Sequence, residues 1–571
     1  MHIGRLGICA CMIFLGMSVG LQADVTVDGP STVTNGGVAL VSGDTITVTP
    51  TGSITTTGAD AISAGSGGSP VSMLTVINQG TLETVAGGNG VDLVGNMNSV
   101  TNTNVIRADQ AAVEISGNGA QISSSGTVTA TQTGFFIVGY DGTITNSGGL
   151  SSVSVGMAVV GGTGASLTNT GQITSTTNDG IGSFNDNTTV VNTGTVTAGL
   201  DGIFLDGQDN TVTNGGVINA QDDGIDSEGR GADVIVNSGT IITIRDGIET
   251  DGDGVVVTNS GIVISSDGAF DLNGANSTLN LQRGTLLRGL LSFDGANGTL
   301  NFGPGINAAL VHDGGAPANI SQNGFLSGTV VFNVNPDQFQ VSTDHAHDLT
   351  RRMHGYMAAP PEPILEVAQG AISSGARVWT TFDASVSNRG ANSRSAGYST
   401  RSATWAGGVL LPSGIGSSLG LDQSISDLSG GFKTGSDSIV AGVHGVHEFG
   451  AAQLGWALLA GLSETTNRRT ILVNVGPAFT ETGVGKTDAV FFSPAISYAR
   501  ELSNGALARV ALRYLDVETD GYSEIGATNN LSFGKQQNQV WALSPSIEFP
   551  KRVFENGARF DMTAGLDLNH F

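Results

Sequence analysis

One pattern dominates this chain, a run of seven near-copies of apolar-x-Asn-x-Gly: VINQGTL, ITNSGGL, LTNTGQI, VVNTGTV, VTNGGVI, IVNSGTI and VTNSGIV. Their asparagines are Asn78, Asn146, Asn169, Asn192, Asn214, Asn237 and Asn259, with weaker copies at Asn102, Ser124 and Gln282, and the spacing is 22 to 24 residues throughout. A second motif keeps step about ten residues later, placing Asp179, Asp201, Asp223, Asp246 and Asp267 at the starts of turns in NDGIG, LDGIF, DDGID, RDGIE and SDGAF. Each period holds two or three runs of 3–6 residues rich in Val, Ile and Thr, cut by Gly, Asn and Asp. Those runs are strand-length, and too short between turns for helices. One period cannot bury its own apolar face, so neighbouring copies must stack. The pattern therefore predicts a right-handed parallel β-helix over 24–340, with strands ~4.8 Å apart from rung to rung. Apolar columns fill its interior, and asparagines repeated at one turn form a ladder of mutual hydrogen bonds. The 86 glycines among 571 residues are a consequence, because tight stacked turns leave no room for side chains.

Composition separates this rod from the C-terminal third of the chain. Residues 24–340 carry 28 acidic residues against five arginines and no lysine, a net charge of −23, with no Trp and a single Tyr and His. All four Trp, all four Lys and five of six Tyr fall after residue 350. The acidity excludes a nucleic-acid partner, which needs a basic face. The glycines lack a three-residue period, which excludes collagen. A mean hydropathy of +0.10 argues against disorder.

The first 23 residues read as a secretory signal peptide, with Arg5, an uncharged apolar run from Leu6 to Leu21, and Ala23 at the cleavage point. Both cysteines, Cys9 and Cys11, lie inside it. The exported chain then has no thiol for disulfides or metal ligation.

From about residue 375 the pattern lengthens into alternating stretches of about ten residues. Trp541, Leu543, Pro545, Ile547 and Phe549 alternate with Ala542, Ser544, Ser546 and Glu548, and similar stretches cover 403–412, 416–428, 438–448, 451–463, 484–500 and 506–514. One face is apolar and one polar, which suits a transmembrane β-barrel with a wet lumen, although a soluble β-sandwich alternates in the same way. Trp405, Tyr498, Tyr514 and Trp541 are candidates for interfacial girdles. The mature sequence has no 18-residue apolar run, so any spanning is by strands. Between the two regions, 341–376 reads as a basic linker with a short helix at 364–374; His345, His347 and His354 within it suggest zinc but lack a fourth ligand.

In the rod, carboxylates cluster on adjacent rungs, and Asp222, Asp223, Asp226 and Asp246 are the candidate Ca²⁺ ligands because hard cations take oxygen donors. No calcium-roll nonapeptide accompanies them, and the recurring DG turns read primarily as solvated carboxylates that discourage sideways aggregation. Paired aspartates also serve polysaccharide hydrolases. The Gly-His-Gly and Arg-Ile-Lys elements of the polygalacturonases are missing, so no catalytic residue and no cofactor is assigned.

Signal peptide (1–23), β-helix (24–340), helical linker (341–376) and barrel strands (377–571), in that order, resemble the autotransporters of Gram-negative type V secretion. The resemblance implies an outer-membrane barrel that passes a non-enzymatic passenger, an adhesin, to the cell surface, with the linker helix in the pore. It also implies outer-membrane lipid, the barrel-assembly machinery, periplasmic chaperones and a surface ligand as partners. A polysaccharide-active β-helix enzyme and a secreted structural β protein are the alternatives. The family's barrel has twelve strands, whereas about nine are legible in 375–571, and Phe571 falls off the apolar parity of the last strand. The sequence thus predicts an incomplete barrel whose closing strands lie beyond it.

Overall fold

The computed structural model describes residues 24–570, apart from 38, 66–68, 322, 336, 359–375, 392–396, 429–430, 550–551, 554–558, 561–562 and 567. The signal peptide expected at 1–23 with Cys9 and Cys11, the helix expected at 364–374 and Phe571 lie outside the described residues. The fold is all-β, with one α-helix among the described residues: a parallel β-solenoid of about 13 turns, then a curled antiparallel half-barrel. It forms two compact units whose boundary along the chain falls at 236–252.

Each rung contributes three short strands. In one rung these are Thr143–Asn146, Gly149–Ser152 and Met157–Val160, each paired in parallel and in register with its counterparts one period away. Register is pinned because alternate side chains point in: Ile122, Ile144, Leu167, Val190 and Val212 form one buried column, and Val128, Leu150, Ile173, Val196 and Ile218 another. A slip of one residue would turn every column to solvent.

The asparagine turns behave as the period predicts. Asn146 Nδ2 donates to Asn169 Oδ1 at 2.9 Å, Asn169 to Asn192 at 2.9 Å and Asn192 to Asn214 at 2.8 Å. Asn78 donates to Asn102 at 2.7 Å, and in the second unit Asn237 donates to Asn259 at 2.7 Å. Each side chain is buried and its amide group donates to the rung above, while Asn146 Oδ1, which follows Ser124 in the column, is left without a donor. The following glycine is required by space. A Cβ on Gly194 would lie 2.0 Å from Gly171 O, the carbonyl of the turn beneath it.

The parallel pattern ends near residue 320. Ala308–Val311 pairs antiparallel with Val330–Asn333, and Ala308 and Ala309 align with Leu472 and Val473 of the half-barrel sheet. The helix Asp337–Ala358 comes next, crossing the 340/341 boundary expected from sequence. Asn335 Oδ1 accepts the Asp337 N–H at 3.1 Å and caps it. Eight long strands then run antiparallel: Arg377–Arg389, Tyr398–Leu410, Ile415–Leu428, Phe432–Phe449, Ala452–Val473, Thr480–Glu501, Leu507–Thr519 and Gln536–Glu548. Short segments at Thr563–Gly565 and Leu568–His570 pair with the last of these. Among the described residues, Arg377–Arg389 pairs only with Tyr398–Leu410, so the sheet is open.

Candidate functional site

The half-barrel turns the usual rule of burial around. Along Ile415–Leu428 the exposed residues include Ile415, Leu419, Leu421 and Ile425, with polar Ser417, Gln423 and Asp427, while the buried ones include Ser418, Asp422, Ser424 and Ser426, with Leu428 at the strand end. The register extends this across the sheet. Phe382, Trp405, Leu421, Ile439, Leu462 and Val490 are directly paired neighbours on six successive strands, all exposed, from 44% at Trp405 and Ile439 to 70% at Phe382. One residue along, on the opposite face, runs the row Asp383, Thr404, Asp422, Ser438 and Ser463. A soluble sandwich would bury the first row and wet the second.

The apolar band has edges. Two residues beyond Leu462, the outward row becomes Gln423, Asp437, Glu464 and Asp488, and Lys486 bonds Glu464 at 3.0 Å. On the central strand the outward apolar positions run from Leu454 to Leu462, nine residues. At ~3.4 Å per residue that is roughly 27 Å along the strand. With a tilt of 35–45° it gives ~20 Å of height, near the ~25 Å of an outer-membrane band. Tyr498 and Trp541 are exposed on the same face, and Tyr514 packs against Trp541 with ring centroids 4.7 Å apart. The connections at the Leu454 end are 411–414, 450–451, 502–506 and 549–562, and those at the other end are 390–397, 429–431, 474–479 and 520–535.

The helix fills the polar concave face. Leu349, Met353 and Met357 form one stripe that packs with Trp379, Ala406, Val440, Leu459 and Phe491. Beside that stripe the contacts are ionic. Buried Arg352 donates to Ser402 Oγ at 2.9 Å, to Asp422 Oδ1 at 3.1 Å and to Thr404 Oγ1, with Asp348 one helical turn back at 3.2 Å. His345 Nε2 stands 3.2 Å from Ser438 Oγ and 3.4 Å from Asp422 Oδ2. His354 Nε2 is 3.1 Å from Ser493 Oγ. Asp344 accepts from Arg389 and Tyr398, Tyr356 donates to Asp383 at 3.1 Å, and Arg509 reaches the carbonyl of Ala358 at the helix end. A buried guanidinium is tolerated only when its charge is paired, and the partners of Arg352 come from the helix and neighbouring strands. Beyond the helix end a cavity of about 510 Å³ is lined by Arg351, Arg509, Arg513, Trp456 and Ser546. Of the histidines that suggested zinc, His345 and His354 thus face different strands. No helix among the described residues is long and apolar enough to cross a membrane.

Sequence reasoning missed the joint between the last solenoid strands and the sheet. Buried Asn474 donates to Gly289 O at 2.9 Å and Val311 O at 2.8 Å, and accepts from Val311 N at 2.8 Å. Arg288 donates to Pro477 O at 2.9 Å and covers the Phe479 ring at 5.1 Å. Arg469 and Glu524 form a buried bidentate pair at 2.8 and 2.6 Å in the strand extension. Nothing local marks these residues, because each partner is 55 or more positions away.

Asp222 is half-buried, Asp223 and Asp226 lie together in the first unit, and Asp246 belongs to the second, where its carboxylate accepts Gly268 N–H at 3.0 Å. The expectation that the DG carboxylates are solvated holds for exposed Asp267 and fails for Asp179, Asp201, Asp223 and Asp246, which are buried. Each turn is roofed by the next rung, whose amide points down: Asp201 N–H donates to Asp179 at 3.4 Å and Asp223 N–H to Asp201 at 3.0 Å. Burial raises the Asp179 carboxyl to about 6 and Asp201 to about 7, against the lowering effect of those amides. Asp226 rises to about 8, through burial and then the charges of Asp201, Glu249, Glu228 and Asp223.

No family model matches the chain, and no curated protein matches it. Among solved structures it is similar to the translocator domain of the autotransporter NalP from Neisseria meningitidis, at 16% identity with a TM-score of 0.33, over 40% of this chain and 77% of that one.

Proposed function

We propose that this chain is an autotransporter whose half-barrel stands in the outer membrane of a Gram-negative bacterium and displays the solenoid at the cell surface as a non-enzymatic adhesin. The observation that carries the reading is the inverted face pattern. Apolar side chains cover the exposed convex face over a membrane-sized height, while Asp422, Thr404 and Ser402 on the concave face hold a charged helix. Only lipid makes the convex face favourable, and only a polar filling suits the concave one. The end of the sheet that residues 308–311 join faces outward, and the Leu454 end faces the periplasm. The helix then runs down the lumen from the side where residues 308–311 join the sheet.

Periplasmic chaperones and the barrel-assembly machinery are the partners such an insertion requires. The rod, with net charge −23 and in-register Asn turns, offers a repetitive surface suited to adhesion, and its aspartates are engaged in supporting turns. The test is fractionation with surface proteolysis. Protease added to intact cells should degrade 24–340 and leave a membrane-embedded fragment containing 377–548. Recovery of the whole chain in the soluble periplasm or the medium would overturn the proposal. Cells displaying the rod should also adhere to a surface that cells with 24–300 deleted do not bind.

A further inference from the structure

The third strand of each rung breaks the outward polarity of the solenoid. In the rungs 143–160 and 166–183 the outward positions of the first two strands are hydroxyl, amide or glycine residues, from Thr143 and Thr145 to Gln172 and Thr174. On the third strand they are Ala158, Val160 and Gly182, and register places Phe136 and Val138 on the rung before and Phe204 on the rung after. Phe184, one step past the strand Ile181–Ser183, is 45% exposed and leans on Phe204 with ring centroids 5.5 Å apart. Val155, Ala158 and Phe184 all lie within 4 Å of the point that a Cβ on Gly182 would occupy, so these groups form one continuous patch. Phe136, Val138, Val160 and Phe204 are half-buried at its margins. Phenylalanines gathered toward water on one face of a rod whose other faces are Thr, Ser and Gln mark a contact surface.

Charge brackets the patch along the rod. The same column continues by register to Glu114 and Asp92 on one side and to Asp226 on the other. Asp206 and Glu228, each two residues further along its strand end, are exposed. Asp60 and Glu114 act electrostatically on Asp92, and Asp201, Glu249, Glu228 and Asp223 on Asp226, so acid is gathered at both ends. The nearest basic residues in sequence, Arg230 and Arg245, belong to turns and not to this strand column. The path from Glu114 through Phe136, Ala158, Gly182 and Phe204 to Asp226 is about 24 Å at one strand spacing per rung. A second copy of the chain would bring the same carboxylates against these, and an anionic lipid surface would be repelled likewise. A neutral glycan would leave both acidic flanks without a role. The matching occupant carries positive charge on either side of an apolar stretch, and roughly seven extended residues cover the length.

We infer that the face centred on Phe184 and Phe204, between Glu114 and Asp226, is a docking surface for a cationic peptide segment of another protein. Its apolar side chains lie on the phenylalanines, and Lys or Arg meets each acidic flank. The inference rests on the reading of the solenoid as an adhesin and gives the chemical class of its partner. The apolar centre holds the segment, while the flanks steer it in and reject acidic sequences.

The experiment uses the full chain in detergent and a fluorescein-labelled synthetic peptide, Lys-Lys-Val-Leu-Phe-Val-Lys-Lys, followed by anisotropy. The peptide should bind saturably, and versions with Glu in place of Lys, or Ser in place of the apolar residues, should bind more weakly by about tenfold or more. Phe184→Ser, at an exposed position, should cost about tenfold at both ~0.1 M and ~1 M salt. The double change Asp206→Asn with Glu228→Gln should cost a similar factor at the lower salt and little at the higher, where charges are screened. Thr145→Ala, on the first-strand face, should change nothing. Binding that is indifferent to Phe184, or lost completely at the higher salt, would show only attraction to an acidic rod and overturn the inference. So would a dimer of the chain that forms through this face and excludes the peptide. If Phe184→Ser does not fold, the serine peptide decides on the apolar contact. Should the peptide fail while cells still adhere through 24–300, the adhesin reading stands and this partner is wrong. Should the peptide bind while the cells do not adhere, the docking surface stands without the adhesin role.

Discussion

The solenoid and the half-barrel are both made of short-period β alternation, yet they sort their side chains in opposite ways. In the rod the alternate apolar residues (Ile144, Leu167, Val190) are sealed inside, and the polar groups that must accompany them underground are asparagines in a matched ladder. In the half-barrel the alternate apolar residues (Leu421, Ile439, Leu462) face out, and the sealed row is Asp422, Ser438 and Ser463. The difference teaches that alternation states that two faces differ and leaves open which is buried. What decides is the occupant of the concave side. Stacked rungs present their own Val and Ile to one another, whereas the curled sheet encloses a helix carrying Arg352, His345 and Asp348.

The strongest way to break that contrast is to leave the lumen charge unpaired. Arg352→Ala should destabilise the half-barrel by about 3–5 kcal/mol by stranding Asp422 in the wall, and Asp422→Ala should do the same by stranding the guanidinium. The double variant should recover much of the loss. Urea unfolding in detergent measures each; simple additivity of the two losses would mean that the pair does not hold the helix.

The outward face gives the next largest effect. Leu458 is at the middle of the apolar band, and Leu458→Arg should cost about 2–4 kcal/mol of folding in a bilayer. Glu464→Arg, on the charged edge row, should cost ~0–1 kcal/mol in the same vesicles. Equal costs at the two positions would remove the lipid assignment. In the rod the corresponding change is Asn169→Ala, which takes a donor from Asn192 and an acceptor from Asn146 and Gly171. At about 1–3 kcal/mol for each buried group left unmet, it should open amide exchange locally across those rungs. Asn118→Ala, an exposed turn asparagine bonded to Tyr140 N–H, should cost far less, because water takes its place.

These regions also differed in how much the residues disclosed. The asparagine ladder was readable because its period is rigid and its partners are one repeat apart. The burial of Asp179, Asp201 and Asp223 was not, since a DG turn in isolation is solvated and only the rung stacked above it removes the water. The helix Asp337–Ala358 escaped notice in its true extent because its apolar stripe is narrow, and its other contacts are to a polar wall whose Asp422 is 70 residues from Arg352. The direction in which the barrel strands face came from register and exposure, which alternation alone does not carry. The joint at Asn474 had no local signal, since its partners Gly289 and Val311 lie 185 and 163 residues away.

Those buried aspartates make the rod respond to pH in a direction opposite to salt-bridged carboxylates. Their folded-state carboxyls titrate above the unfolded value of 3.8, Asp179 at about 6, Asp201 at about 7 and Asp226 at about 8. The folded rod therefore holds more protons than the unfolded chain between these limits. Stability from this source is complete below about pH 4 and is lost as pH rises through about 6 to 8. In chelator, the solenoid transition should fall in temperature across that window, and Asp226→Asn should flatten the fall. A rod whose stability rose across the same window would show these carboxylates to be ionised partners instead.

The smallest effect tests whether the ladder is a true chain of paired groups. At Ser124 the repeat has lost its amide: Asn102 donates to Ser124 Oγ at 3.1 Å, but Ser124 passes nothing on, and Asn146 Oδ1 is left buried without a donor. Ser124 aligns with both Asn102 and Asn146, so an asparagine there would stand in register with a free acceptor above and a donor below. Ser124→Asn should therefore stabilise the solenoid by about 0.5–1.5 kcal/mol, the net worth of one hydrogen bond. The gain should vanish in an Asn146→Ala background. A gain that persisted there would come from added bulk, and a loss would mean that this turn is too tight for the longer side chain.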